Sequence, residues 1–401
     1  MLPPHRVSQR FQSALGAIDP FLRFFDFYKE YIETPDLSDF AVGNPHEMPL
    51  PRFVEALQRW SAPQNKDWFA YKMSEDNARQ AVAQTLRAWR GLPFEAEDIH
   101  MTTGGFSAIT VALNAVVNDG DEVIFITPPW FFYEAIIRAA GGIPVRAKIN
   151  PDTFDLDLDT IAAEITPRTC AVLINSPNNP TGKIYPPETL HALAALLTDA
   201  SQRHDRPIYL LSDEAYSRIV YDGRTYPSPT AYYPNTFLLY TYGKTLLTPG
   251  QRLGYIALPP TMPDREAMRA MIFGTQVLTG YAFPNALLQH ALPDLEKLSI
   301  DIEHLQEKRD WLVRELHQTG YDVHTPEGTF YLMPRSPLAD DWAFSRMLAA
   351  HNILCLPGTV VELPGYFRLS LTANDQMIER ALPNFAKALE EARHSAPAST
   401  G

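Results

Sequence analysis

The sequence predicts an α/β fold, a three-layer αβα large domain around a mostly parallel sheet, joined to a smaller α+β domain. Three observations predict it. The chain has 401 residues, more than one hydrophobic core usually covers. From about residue 75 helix-period and strand-like segments alternate, the pattern of parallel βαβ units. After about residue 285 that rhythm gives way to a long helical stretch and short strand signals. The expected division is an N-terminal arm over 1–45 that joins the small domain, a large domain over 46–285 and a small domain over 286–401.

In the large domain the strands are read at "EVIFIT", "CAVLINS", "IYLLSD", "FLLYTY" and "RLGYIAL". Helix-period segments such as "FYEAIIRAA" and "PETLHALAALLTDA" lie between them, the second opening on two prolines that suit a first helical turn. In the small domain "LEKLSIDIEHLQEKRDWLVRELHQTG" predicts one long helix ending at Gly320, followed by strands at "TFYLMP", "ILCLP" and "YFRLSL". The tail "HSAPASTG" is expected to be disordered. No internal repeat or low-complexity block is present.

Composition excludes several classes. A formal net charge of -13 disfavours nucleic acid and anionic membrane as partners, since both require a basic surface. A hydrophobic content of 45% is ordinary for a soluble globular protein, and a small-molecule enzyme fits best. Cys170, within an apolar run, and Cys355 suggest neither a disulfide framework nor a metal cluster. The N-terminus "MLPPHRVSQR" lacks the apolar core of a signal peptide, and no segment reaches the roughly 18 apolar residues of a membrane span. The expectation is a soluble, cytoplasmic protein.

Open sheets of this kind bind ligands beyond the carboxyl ends of their strands, so polar residues that follow strand signals are the candidates. After "CAVLI" comes "NSPNNPTG", with Asn179; a plain turn would use such residues, but not all eight of them. "IYLLSDEAY" ends a strand on Asp213, followed by Glu214 and Tyr216. An acid there is often a helix N-cap, yet after so apolar a strand an ionised carboxylate needs a cation or strong donors. "TTGGFSAITVALNAVV" sets Gly104 and Gly105 before an apolar helix, a phosphate cradle of free backbone N–H groups. It is neither GxxxxGK nor GxGxxG, which argues against a nucleotide loop or a dinucleotide fingerprint. "TYGKTLLTPGQR" delivers Lys244 to the same crevice, either as a point charge for phosphate or as the partner of a carbonyl in a Schiff base. An anion cradle, a buried acid, phenol and amide donors and a lysine are what pyridoxal 5'-phosphate requires.

With "NSPNNPTG", "SDEAY", "KTLLTPGQR" and "YFRLSL" in this order, the chain resembles the class I/II aminotransferases, fold-type I pyridoxal-phosphate enzymes, over about residues 40–390. The resemblance implies that Lys244 carries the cofactor as a Schiff base and moves the proton between Cα and the cofactor. It implies that Asp213 pairs with the ring nitrogen, and that Asn179 and Tyr216 bond the ring oxygen. Trp130 would stack on the ring. Gly104, Gly105, the backbone of Phe106, Thr241 and Arg252 would hold the phosphate. Tyr71 would reach the phosphate of a neighbouring subunit, making the protein a homodimer. Arg368 would fork the substrate's α-carboxylate, although an arginine in a strand can also pair with a buried acid. Gly43, Asn179 and Trp130 would line the substrate. The implied reaction is ping-pong transfer of an amino group from an L-α-amino acid to a 2-oxo acid. The same cofactor also supports β- or γ-elimination and synthase chemistry. A non-catalytic cofactor-binding regulator is a further class, against which the retention of Lys244 and Arg368 counts.

Three departures from the family stand out. Gly243 precedes the lysine where many relatives carry serine. "KMSEDNARQAVA", after Tyr71, lacks a glycine that relatives commonly have. Phe106 occupies a position where some dicarboxylate-specific relatives have lysine, and a phenyl ring cannot make that charge-assisted bond. Together with Phe24, Phe25 and Trp130 it tilts the reading towards an apolar or aromatic amino donor, although another cation could serve aspartate.

Overall fold

A computed structural model describes residues 7–395 of the chain. Residues 1–6 and most of the "HSAPASTG" tail lie outside the described residues; its first two members, His394 and Ser395, still belong to the last helix.

The arm contributes β1 (Ser38–Asp39). The large sheet has seven strands, β2 (Ile99–Thr102), β3 (Glu122–Thr127), β4 (Ile143–Lys148), β5 (Thr169–Asn175), β6 (Tyr209–Asp213), β7 (Thr236–Thr241) and β8 (Gly254–Ala257), in the order β2-β8-β7-β6-β5-β3-β4. Strands β4, β3, β5, β6 and β7 run parallel, whereas β8 is antiparallel to both β7 and β2. The expected α/β class with a mostly parallel sheet is therefore borne out.

The central strands read as continuous apolar runs because helices cover both faces. Side chains alternate between the faces. Val123, Phe125, Leu173, Leu211 and Leu239 pack towards helix Gly105–Val116. Their neighbours Ile124, Ile126, Val172, Ile174 and Leu210 pack towards helix Pro187–Arg203. Strands β2 and β4, which the sequence reading did not include, close the two ends of the sheet. β4 reads "IPVRAK" and is mostly unburied, and β2 is a four-residue strand containing His100. Neither carries the apolar run that marks a central strand.

The predicted long helix starts later than the sequence suggests. Leu295 ends the preceding helix, Ala286–Leu295, and the predicted stretch is helical only over Ile302–Thr319, where the Asp301 side chain accepts from the His304 N–H. That local cap satisfies a first-turn donor and sets the start of the helix. The second helix ends on Gly320 at φ 107°, a left-handed position that suits glycine. Helix Ala286–Leu295 buries Leu288, Ala291 and Leu292 against Phe53, Val82 and Leu86, beside the large sheet.

In the smaller α+β unit, β9 (Tyr331–Leu332), β11 (Leu356–Pro357) and β12 (Phe367–Ser370) form an antiparallel sheet in the order β11-β12-β9, while β10 (Ile353–Leu354) pairs in parallel with β1. The single run "ILCLP" thus serves two sheets. The arm packs here, with Phe24 and Phe27 buried among Met333, Leu354 and Leu356. Among the described residues no helix is long and apolar enough to cross a membrane, and no cluster of His, Cys, Asp and Glu could hold a metal ion.

Candidate active site

The parallel register aligns Asn175 with Asp213 and Asp213 with Leu239, so the polar ends of β5, β6 and β7 emerge side by side. They open into a cleft of about 280 Å³ between the large sheet and the smaller unit. The cleft brings together Gly43, Gly105, Phe106, Trp130, Asn179, Asp213, Tyr216, Thr241, Lys244, Arg252 and Arg368. Gly104 lies immediately behind it, against Arg252. Tyr71 does not join them: it is 88% exposed and packs beside Phe283, with ring centroids 5.0 Å apart. Phe24 and Phe25 are also elsewhere, the first buried in the arm's core and the second stacked on Tyr28. The helical period of the arm points them away from the cleft, and Val42, Ile109 and Phe131 line it instead.

Asp213 is buried. Its carboxylate accepts from the Tyr133 hydroxyl at 2.6 Å and from the Ala215 N–H at 3.1 Å. Burial raises its pKa, opposed by those two donors and by the Lys244 charge, so the site still favours an additional cation beside this oxygen pair. A protonated ring nitrogen is such a cation. Asn175 braces the neighbourhood, donating to the Asp213 carbonyl at 2.9 Å and accepting from the Asn179 N–H at 2.7 Å.

The cradle forms at the start of helix Gly105–Val116, whose first-turn N–H groups lack intrahelical partners. Gly104 sits at φ 90°, and a Cβ there would lie 2.9 Å from Arg252 Nη2, so conformation and space both call for glycine. Arg252 is anchored by donation from Nη1 to the Pro249 carbonyl at 2.8 Å. Thr241, at the end of β7, completes a polar rim suited to a phosphate dianion. Gly243 also has a structural reason: a Cβ would approach Pro249 Cα to 3.0 Å.

Lys244 projects from the short helix Tyr242–Thr245, its Nζ 5.6 Å from the Tyr216 ring centroid and 5.7 Å from that of Phe330. Across the cleft, buried Arg368 donates from Nη1 to Asn179 Oδ1 at 2.9 Å and from Nη2 to the Ala41 carbonyl at 3.0 Å. Its Nε has no partner. An unpaired buried donor is costly, and a carboxylate is the acceptor this guanidinium lacks. These features fit pyridoxal phosphate at one end of the cleft and an amino acid at the other.

Tyr133, Asn175 and Tyr331 were not singled out in the sequence. Tyr133 is three residues after Trp130 and Asn175 ends an apolar strand, so strand-end polarity would have found Asn175. Tyr331 also lines the cleft, and its place there depends on pairing between distant strands.

A class of protein is thereby defined, and comparison with known proteins agrees with it. The family described as Aminotransferase class I and II matches residues 35–385, and the chain belongs to that family. It is a pyridoxal-phosphate-dependent aminotransferase, acting on amino acids and 2-oxo acids. Among curated relatives, a probable aspartate/prephenate aminotransferase of Thermus aquaticus is 33% identical over 368 residues, covering 88% of this chain and 92% of the relative. Among solved structures, an amino transferase from Eubacterium rectale superposes with a TM-score of 0.87 at 30% identity, covering 92% of this chain and 94% of that one. Thermus thermophilus aspartate aminotransferase with maleate gives a TM-score of 0.81 at 28% identity, covering 96% and 99%.

Proposed function

We propose that this aminotransferase takes L-amino acids with apolar or aromatic side chains as its amino donors. The observation that carries the reading is the cleft's charge inventory. Among the described residues its cationic side chains are Lys244, Arg252 and Arg368. One is needed for the cofactor's carbonyl carbon, one for its phosphate and one for the α-carboxylate. A side-chain carboxylate would find no fourth cation and would face Phe106, Ile109, Phe131 and Val42, where desolvation without a partner is costly. Relatives named for aspartate share the fold, and Phe106 is where this chain diverges from the dicarboxylate pattern.

Pyridoxal phosphate supplies an electrophilic carbonyl carbon and a ring that accepts the electrons of the Cα–H bond. In this reading Lys244 Nζ would hold the cofactor and would be the base that takes the proton from Cα. Asp213 would keep the ring nitrogen protonated. Asn179 and Tyr216 donate to the ring oxygen, and Trp130 covers the ring face. Gly104, Gly105, Phe106 N–H, Thr241 and Arg252 bind phosphate. Arg368, held by Asn179 and Ala41, orients the α-carboxylate so that Cα–H faces Lys244. Gly43 leaves room for the substrate at the arm.

The protein acts as a homodimer in the same proposal. Tyr71 and Phe283 form an exposed aromatic pair, and helix Arg265–Leu278 exposes Phe273, Val277 and Leu278. A second copy covering this surface would let Tyr71 reach the neighbouring phosphate. Two buried free thiols suit a cytoplasmic location. The chain divides into the arm over 1–45, a large domain and a small domain. The boundary moves from 285 to the segment between Leu295 and Ile302, because helix Ala286–Leu295 packs beside the large sheet.

The test is a panel of single amino donors against 2-oxoglutarate and pyruvate. Phenylalanine, tyrosine and leucine are expected to exceed aspartate and glutamate in kcat/KM. Reaction with aspartate and glutamate alone refutes the donor class.

A further inference from the structure

Tyr331 belongs to β9, and the β9–β12 register sets it opposite Ser370. Residues two apart on a strand share a face, so Tyr331 lies diagonal to Arg368 on the same side of the sheet, within reach for an aromatic and a long side chain. The Arg368 guanidinium carbon sits 4.0 Å from the Tyr331 ring centroid. At the far end of the ring, the Tyr331 hydroxyl accepts from the Tyr216 hydroxyl at 3.4 Å. The hydroxyl also explains a glycine: a Cβ on Gly43 would come within 2.6 Å of Tyr331 Oη. The arm's approach to the cleft is therefore shaped around this one side chain.

We propose that Tyr331 is a positioning residue for amino transfer, its ring fixing Arg368 for the substrate carboxylate and its hydroxyl fixing Tyr216 for the cofactor ring oxygen. This rests on the reading of Arg368 and Tyr216 above. The charged and titratable groups facing the hydroxyl are Lys244, Arg368 and Tyr216. Burial would raise the pKa of Tyr331, but Lys244, Arg368 and the Tyr216 donor outweigh it and hold it below the ordinary tyrosine value. Tyr216, by contrast, is raised by burial and by Tyr331.

Tyr331→Phe keeps the ring and removes the hydroxyl, whereas Tyr331→Leu removes both. The probes are 3-phenylpropanoate and succinate, carboxylates with no amino group to react, titrated calorimetrically into cofactor-loaded protein, and the pH midpoint of the bound cofactor's absorbance is followed in each protein. Loss of a stacked aromatic face should weaken binding of the bound probe about tenfold in the Leu variant, and less in the Phe variant, which keeps the ring. Loss of the hydroxyl that holds Tyr216 should move the absorbance midpoint in both variants. Equal affinities in all three proteins, or one absorbance midpoint shared by wild type and the Phe variant, overturn the proposal. If the Leu variant does not fold, the comparison of absorbance midpoints decides alone. A wild-type preference for succinate over 3-phenylpropanoate refutes the apolar-donor reading and leaves the role of Tyr331 to the variant comparison.

Discussion

Replacing Phe106 with lysine tests whether this side chain sets the donor class. Phe106 stands at the first turn of helix Gly105–Val116, lines the cleft and is 38% exposed. Its ring lies edge-on to Trp130 at 5.2 Å and tilted against Phe132 at 5.3 Å. A lysine there adds a cation for a side-chain carboxylate, and a hydrogen bond to a charged group is worth about 1.5–3 kcal/mol. At about 1.4 kcal/mol per factor of ten, kcat/KM for aspartate relative to phenylalanine should swing by roughly ten- to a hundredfold. Each lost aromatic contact, worth about 0.5–1.5 kcal/mol, weakens the wall for an aromatic donor and widens the swing. The half-exposed position keeps the folding cost small, so the variant should purify with bound cofactor. The assay is kcat/KM for both donors at fixed 2-oxo acid in wild type and Phe106→Lys. A cofactor-loaded variant whose preference moves less than threefold refutes the assignment of this wall to the substrate side chain.

Three further predictions follow from the same geometry. The raised Asp213 pKa means that the cofactor-free fold loses stability as pH rises from the ordinary carboxylate value through the raised one. Asp213→Asn should remove that loss in thermal melts of apoprotein while shrinking the stabilisation gained on adding pyridoxal phosphate; an unchanged cofactor-induced shift in Tm counts against the pairing with the ring nitrogen. Gly243→Ser should lower stability by about 1–3 kcal/mol through overpacking, and it should loosen cofactor retention because the displaced Pro249 carries the carbonyl that anchors Arg252; tighter retention in a cofactor titration would refute this. Burial, reinforced by Arg79 and Arg269, lowers His100 to about 4 from 6.5, so its contribution is complete above pH 6.5 and falls away towards pH 4, a loss of about 3 kcal/mol at 1.36 kcal/mol per unit. His100→Leu should flatten that acid slope in denaturant unfolding, and an unchanged slope assigns it to other groups.

The central strands were legible because burial on both faces writes itself as an uninterrupted apolar run, and the residue after each run had to be at the carboxyl edge. Asp213, Asn179 and Lys244 were found that way, and the register brought them to one cleft. The edges were not legible: β4 is half solvated and carries Pro144, Arg146 and Lys148, so its composition resembles a loop. The start of the long helix at Ile302 rather than Leu295 was invisible to periodicity because an N-cap such as Asp301 is a local device that leaves the apolar period unmarked. Phe24 and Phe25 misled for a different reason. Aromatic composition says that a wall exists but not which face of the arm supplies it, and the arm's pairing with β10 turns Phe24 inward. Tyr331 depended on a pairing with β12 that no local pattern announces.

Behind the cleft lies a second layer of charge that bears on how Lys244 and Arg368 stay aligned. Glu214, next to Asp213, is fully buried and takes Arg90 at 2.9 Å and the Ser228 hydroxyl at 2.6 Å. Arg218, two residues after Tyr216, pairs with Glu296 at 2.8 Å under the rings of Trp89 and Tyr240, and Tyr242 donates to the same carboxylate. Buried pairs like these add little net stability, but removing one partner leaves an uncompensated charge that costs about 3–5 kcal/mol. Their effect is therefore to exclude alternative arrangements. Glu296 begins the segment that joins helices Ala286–Leu295 and Ile302–Thr319, and Ile300 N–H donates to the Thr245 carbonyl at 2.9 Å. The short helix bearing Lys244 is thus tied to the chain that leads into the unit bearing Arg368. A shift of that linker would strand Arg218 or Glu296 in an apolar interior, so the same contacts that are poor sources of stability hold Lys244 and Arg368, the two ends of the proposed reaction, in register.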